Sequence, residues 1–405
     1  MDEREHYIPI RVTDLVEHLC REAGPREGQT LTAEEQVGFR RFAKSVSEHL
    51  HAIYLNELRR LKDAYAPFDP DSDPKPLTPI SDLARAASLE RLFDTFSLIM
   101  ERANYTRLSR EDLETVILGA SEWGVDMHVN WDIFHKVEVY CRGFGTTRRF
   151  LRRWWKFFRR EDVKVPTFRR TVVMLKQQPH PALGTNADTK SVFLKLFKDI
   201  PRMDVEMLLP GTQVKMPFLD RLKLGGSITS SLGYVVWKFS TLSLTAITGA
   251  LSLGTTAAFL TLYSPIALLL GYGYKTWFSF QVSKQTYSLQ LAQSLYYQNL
   301  DNNGGVMYRL LDEAEEQEIR ETLVAYFFLW RYAGDRGWTA HDLDQYVEMD
   351  FARRLNLDID FEVDDALRKV LKAGLVRESD GRHFAVSLEA AQRILDGYWE
   401  QHGSG

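Results

Sequence analysis

Apolar and polar positions alternate in three ways along this chain, and each predicts a different kind of element. From about Ile8 to Gly124 the apolar residues recur at helical spacing. Val37, Phe39, Phe42, Val46, Leu50, Ile53, Tyr54 and Leu58 share one face of a long helix. Thr32-Ala33-Glu34-Glu35 is a capping box at its start, and the Pro- and Asp-rich stretch from Pro67 to Pro79 ends it. A second helix is expected over Ser88 to Ala103, and a third from Ser109. From about Val125 the period shortens. Phe134 to Tyr140, Phe168 to Leu175 and Val192 to Phe197 are short, β-branched and aromatic, and bounded by turn signals, which predicts strands of one antiparallel sheet. Asp204 to Leu209, closed by Pro210-Gly211, is a candidate fourth strand.

The third pattern has no alternation. Phe239 to Tyr274 contains no Asp, Glu, Lys, Arg or His, and such a run reads as membrane-spanning. As one helix it would measure roughly 54 Å, well beyond a hydrocarbon core of roughly 30 Å. Two helices folded back near Gly254-Thr255-Thr256 fit better. That fold brings Trp237 and Lys238 to the same water interface as Lys275 and Trp277, as membrane-interface anchors. Arg221, Lys223, Lys238, Lys275 and Lys284 make both flanks basic, which places them on the cytoplasmic side. Small residues at Gly249, Ser252 and Gly254 would let the helices approach closely. The competing readings are a single span broken at Ser264-Pro265 and a hairpin buried in a large protein core.

Beyond the run, Ser283 to Asn299 continues as a helix, Asp301 to Gly305 breaks it, and Val306 to Tyr332 forms another, acidic in its middle. From Trp338 the order is helix, helix, hairpin, helix. Thr339 caps the first helix, Val363 to Ala373 is amphipathic, and Asp380-Gly381 sits at the hairpin turn, an order resembling a winged helix. The expected fold class is therefore an α+β membrane protein in five regions. They are an N-terminal helical region (1–124), a small α+β domain (125–225), a two-helix transmembrane hairpin (226–282), a helical acidic segment (283–335) and a winged-helix-like module (336–402).

Composition adds little elsewhere. Two cysteines, Cys20 and Cys141, suit a reducing compartment, and the acidic start MDEREHYIPI is neither a secretory signal nor an Arg-rich transit peptide. The net charge of -4 hides an asymmetry, because Arg142 to Lys176 holds twelve cations against Glu161 and Asp162. Within it Arg148, Arg149, Arg152, Arg153, Trp154, Trp155, Lys156, Arg159 and Arg160 interleave cations with aromatic rings. This pattern suits the surface of a bilayer rich in anionic lipids. Docking on acidic helices of the same chain competes with that reading, and RNA binding comes third.

Catalytic and metal signatures are near misses. The acidic run Asp312, Glu313, Glu315, Glu316, Glu318 and Glu321 lacks the Glu-x-x-His of helical carboxylate metal sites. It reads as a solvated face or a partner for the basic segment. Asp69, Asp71 and Asp73 lack the Gly and closing Glu of a calcium loop and read as turn formers. Gly271 to Thr276 lacks the adjacent Gly-Lys of a P-loop, and Gly119 to Gly124 is one residue too long for a nucleophile elbow. No catalytic, cofactor-binding or metal-ligating residue is expected, and no cofactor. From Trp338 to Glu400 eight Lys and Arg face fourteen Asp and Glu, which disfavours DNA and points the C-terminal module to a protein partner.

Several phrases, YIPIRVTDLVEHL, LKDAYAPFDPDSD, FKDIPRMDVEMLLPGTQVKM, YYQNLDNNGGVMYRLLDEAEEQE and AYFFLW, resemble the family of transmembrane protein 143. That family is built around a domain of unknown function found in bacteria, plants and animal mitochondria. The resemblance covers most of the chain and implies a membrane protein with a pair of spans. It brings no established activity and no catalytic residues. Lack of a transit peptide departs from mitochondrial members and points to a bacterial one, multi-pass in the cytoplasmic (inner) membrane with both termini cytoplasmic. A eukaryotic source would instead place it in a mitochondrial membrane. The expected function is a membrane-anchored, non-enzymatic scaffold or binding protein. The alternative is an oligomeric channel or transporter, with Ser240, Thr241, Ser243, Thr245, Thr248 and Ser252 facing a lumen, although helix packing is the better explanation of those residues.

Overall fold

The computed structural model describes residues 4–21, 31–72, 81–113, 126–152, 160–183, 187–215 and 295–402, with Tyr274, Phe278 and Val282 as single positions. The chain divides into two compact units. The first comprises Met1–Ser109, Asp132–Arg202 and Asn299–Gly405, and the second Arg110–Trp131 and Met203–Gln298.

In the first unit α1 spans Val12–Arg21, α2 Ala33–Tyr65 and α3 Asp82–Arg102. The helix α2 begins where the sequence places it. Thr32 accepts from the Glu35 backbone amide at 3.2 Å, and the Glu35 carboxylate accepts from the Thr32 amide at 2.7 Å. This reciprocal pairing satisfies two amides that the first helical turn leaves open. Five antiparallel strands follow in the order β1 (Thr106–Leu108), β3 (Phe134–Arg152), β4 (Arg160–Gln177), β5 (Val192–Pro201) and β7 (Asn299–Asn302). The expected strands at 134, 168 and 192 are present but longer. The β3–β4 ladder runs from Phe134↔Gln177 out to Arg152↔Arg160, whereas β5 follows β4 only as far as Thr167↔Pro201.

One face of the sheet, with Tyr140, Val172, Met174, Leu194 and Leu196, packs on the second half of α2, on α3 and on the first half of α4 (Gly304–Phe328). A second cluster joins α1 and the first half of α2 to the second half of α4 and the C-terminal elements. Thus α2 and α4 run through both clusters. Phe39, Phe42, Phe93, Phe96 and Phe328 are almost fully buried, each removing about 2–3 kcal/mol worth of apolar surface from water. Asn303, with a left-handed φ of 47°, joins the start of α4 to the sheet. Its amide donates to the Leu194 carbonyl at 2.8 Å, and its side chain donates to Asp71 at 2.6 Å. The Asp-rich segment is thereby a turn anchored to the sheet.

The C-terminal elements are α5 (Ala340–Leu355), α6 (Val363–Lys372), β8 (Val376–Ser379), β9 (Arg382–Ala385) and α7 (Leu388–His402). Thr339 caps α5 in a second capping box with Asp342, and Asn356 closes it in the left-handed conformation (φ 52°). Asp380 (φ 52°) and Gly381 (φ 70°) make the turn between β8 and β9, and Trp338 bridges to His383.

In the second unit β2 (Asp126–His128) pairs with β6 (Gln213–Lys215). The candidate strand at Asp204–Leu209 is instead a 3-10 helix, Arg202–Leu208. Val205, Leu208 and Leu209 are buried at turn-like spacing, and the Thr212 hydroxyl lies 2.7 Å from the Glu206 carbonyl and 2.8 Å from that of Leu209. The Leu209 amide donates to the Glu206 carbonyl at 3.0 Å, the three-residue bond of a 3-10 turn and not the cross-strand bond of a ladder.

Among the described residues no helix is long and apolar enough to cross a membrane. The expected α+β membrane protein with a transmembrane hairpin, and its multi-pass placement in the inner membrane, are corrected accordingly to a fold of mixed helix and sheet. The reason lies in the helices themselves. The longest, α2, carries charges along its length, and α4, the most deeply buried, interrupts its apolar residues with Gln317, Arg320 and Glu321. The run from Phe239 to Tyr274 lies outside the described residues apart from Tyr274, which is exposed.

Candidate functional site

The helices α2 and α6 both pack on α4, and between them lies a cleft of about 1070 Å³. This is at the upper end of ligand-pocket sizes. Glu318 and Thr322 of α4 line its floor. Val46, Leu50 and Ile53, spaced by four and three residues, present one face of α2 along a wall. Asp365, Arg368, Lys369 and Lys372 of α6 line the facing wall, and Leu98, Glu101 and Arg102 bring in the end of α3. Ile53 is 40% and Leu98 55% exposed, so the cleft is open to water.

Beneath the floor, reached through Lys369, lies a saturated charge network. Glu321, 1% exposed, accepts from Asn104 at 2.9 Å and Gln317 at 2.7 Å through one oxygen, and from the Lys369 ammonium at 2.5 Å through the other. Asn104 reaches it from a left-handed backbone (φ 55°), a conformation that Asn tolerates better than most residues. Lys369 Nζ is also 2.5 Å from Asp365 and 3.9 Å from Glu318. Arg102 holds both oxygens of Glu57 at 2.6 and 2.7 Å. Burial opposes the Arg102 charge, but the Glu57 and Glu318 carboxylates outweigh it and hold its pKa above the ordinary value. Beside Glu318, burial pushes the Tyr54 phenol far above its usual range.

Such pairing leaves little chemistry to perform. The thiols of Cys20 and Cys141 are buried, and burial pushes that of Cys141 up to about 12, far from a reactive thiolate. Among the described residues no group of His, Cys, Asp and Glu is arranged to hold a metal ion.

The basic segment divides in two. Near the body of the sheet, Arg142 Nη2 lies 2.5 Å from Glu313, Arg170 Nε lies 3.6 Å from the same carboxylate, and the Tyr105 hydroxyl donates to it at 2.8 Å. The acidic run of α4 therefore meets Arg142 and Arg170, cations from opposite ends of that segment. Further out, Arg148 is exposed on β3 opposite the exposed Lys164 on β4. Arg149 stands opposite Val163, and Arg152 opposite Arg160. Arg153, Trp154, Trp155, Lys156 and Arg159 lie outside the described residues, as do Trp237, Lys238, Lys275 and Trp277.

Sequence reasoning passed over the cleft. The pair beneath it, Glu321 and Lys369, is separated by 48 residues, and nothing local marks it. The one available signal was the mixture of both charge signs on α6, which suits internal pairing better than a phosphate backbone. No solved structure matches the chain. Residues 167–305, which begin within β4 and end at the start of α4, match the family described as "Protein of unknown function (DUF3754)", so a domain of that kind is found there.

Proposed function

We propose that this protein is a non-enzymatic binding protein, a scaffold that holds a protein partner against its C-terminal half. The observation behind this reading is the cleft between α2 and α6, with apolar residues on its α2 wall, charged ones on its α6 wall, an open mouth, and acids and bases beneath it that already neutralise one another. A catalytic site keeps titratable groups poised for substrate, whereas here Lys369 and Arg102 are held by carboxylates. The same pairing speaks against DNA, because Arg368 is bound to Asp365 and Lys369 faces Glu321. The matched domain has no activity to transfer. Kinship with the family of transmembrane protein 143 is proposed on the resembling phrases alone, and it brings no activity to this reading.

A photo-crosslinking residue placed at Ile53 should capture a defined polypeptide in cell extract, and excess unlabelled protein should compete it away. The control position is Leu83, on α3 and 85% exposed. Identical adducts at both positions, or none at Ile53, would overturn the reading.

A second reading is favoured by the β3–β4 ladder. Arg148 stands opposite Lys164 and Arg152 opposite Arg160, so the register gathers four basic residues at the outer end of the ladder, a composition that suits an anionic surface. We propose surface contact with anionic lipid here, with no span involved. Changing these four residues to Glu should abolish cosedimentation with vesicles containing phosphatidylserine. Unchanged cosedimentation would remove the idea.

A further inference from the structure

The geometry points to a specific class of occupant for the cleft, and this inference rests on the binding role just proposed. We infer that the cleft takes an amphipathic α-helix of a partner protein, with its apolar stripe against α2 and an acidic flank toward α6.

The wall on α2 favours a helix. Leu50 and Ile53 repeat at the spacing of one helix face above the buried Val46, and the lining continues to Glu57, a run of about 16 Å from Val46 at 1.5 Å per residue. A facing helix of about three turns matches that length and meets such a stripe with its own residues at i, i+4 and i+7. The open mouth favours an occupant with two faces. Ile53 and Leu98 remain substantially wet at the rim, so a wholly apolar ligand seated there would leave its outer side in water. A partner helix covers them with one face and keeps the other solvated.

The charges give the direction. Arg368 and Lys372 are exposed on the α6 rim, and Glu101 is exposed on the α3 rim. Arg368 has a partner in Asp365 on its own helix, while Lys372 projects from the last turn of α6. Glu362, before the first turn of α6, also lines the cleft but is paired with His6, so a helix lying between the rims meets cations toward the end of α6 and a carboxylate on the α3 side. Its complementary form carries Asp or Glu toward α6 and Lys or Arg toward α3. Beneath it the Lys369 network is closed, so recognition rests on the walls and rims.

The test is selection from a random peptide library displayed on phage, against the full chain and against Ile53→Glu. Because Ile53 is 40% exposed, this substitution should keep the fold, as thermal unfolding would verify; Leu98→Glu serves if it does not. Peptides enriched on the wild type should carry apolar residues at i, i+4 and i+7 with acids along one flank. They should bind Ile53→Glu about ten-fold or more weakly in fluorescence polarisation. Arg368→Glu combined with Lys372→Glu should turn the selected flank from acidic to basic; an unchanged flank would overturn the assigned direction. Ile53-dependent peptides that are Pro-rich or lack helical spacing would overturn the helix while leaving the binding role intact. Absence of any Ile53-dependent enrichment would overturn both.

Discussion

Glu321 and Glu206 are the same residue type at the same depth, 1% and 0% exposed, in different units of the chain. Glu321 has three donors, two amides and an ammonium. Neither carboxyl oxygen of Glu206 has a hydrogen-bond partner, and burial alone pushes this group up to about 7. Depth alone does not set the state of a buried acid. Partners do, because desolvation penalises the charged form unless hydrogen bonds and an opposite charge replace the lost water.

The largest effect should come from the saturated side. Lys369→Met leaves Glu321 buried without its counter-charge and should cost about 3–5 kcal/mol, read as a fall in the guanidinium midpoint. Adding Glu321→Leu should restore most of that loss, since an apolar pair of similar volume often replaces a buried ion pair without penalty. If the double variant is no more stable than the single one, the network matters for shape rather than charge.

Next comes Glu206. Its folded pKa of about 7 stands above the ordinary 4.5, so the unfolded chain ionises first as pH rises. Stability should therefore fall between about pH 4.5 and 7 and level off above, with a total loss of up to roughly 3 kcal/mol from this group. Glu206→Gln should remove that slope and stabilise the protein more at pH 8 than at pH 5. Equal effects at both pH values would show that Glu206 is not titrating there.

The smallest effect comes from one amide. Asn104→Gly keeps the left-handed backbone of φ 55° and removes the amide that donates to both Glu321 and the His6 carbonyl, at a cost of about 1–2 kcal/mol. Urea unfolding at pH 7 would measure it, and no change would mean that Gln317 and Lys369 suffice.

These contrasts also mark what the sequence reveals. The capping box at Thr32, the cap at Thr339 and the Asp380-Gly381 turn were readable because their causes are local. Strand lengths were less so. Thr146 to Arg152 reads as a basic loop or helix, and its strand state comes from pairing with Arg160 to Pro166 across the hairpin. Asn299 to Asn302 has little β propensity, and it is a strand because Leu196 and its neighbours pair with it. The site was harder still. Glu321 meets Lys369 and Asn104 only after α4, α6 and the end of α3 have packed, so its partners are tertiary facts. For the same reason Glu206 gave no sign of lacking any. The uncharged run from Phe239 dominated the reading because its signal is the loudest a sequence can carry, yet the described helices are of another kind.

Residues near the start of the chain are fastened near its end. Glu5 bridges in parallel to Ile359, Arg4 pairs with Glu348 and Asp360, and His6 with Glu362. For a nascent chain this sets a schedule. The contact between Arg4 and Glu348 spans 344 positions, so at ribosomal speeds of about 5–20 residues per second the first strap waits roughly 20–70 s for its dock. Through that interval the apolar faces of α1 and α2 lack the C-terminal partners that cover them, which makes the half-made protein a client for chaperones that shield hydrophobic surface.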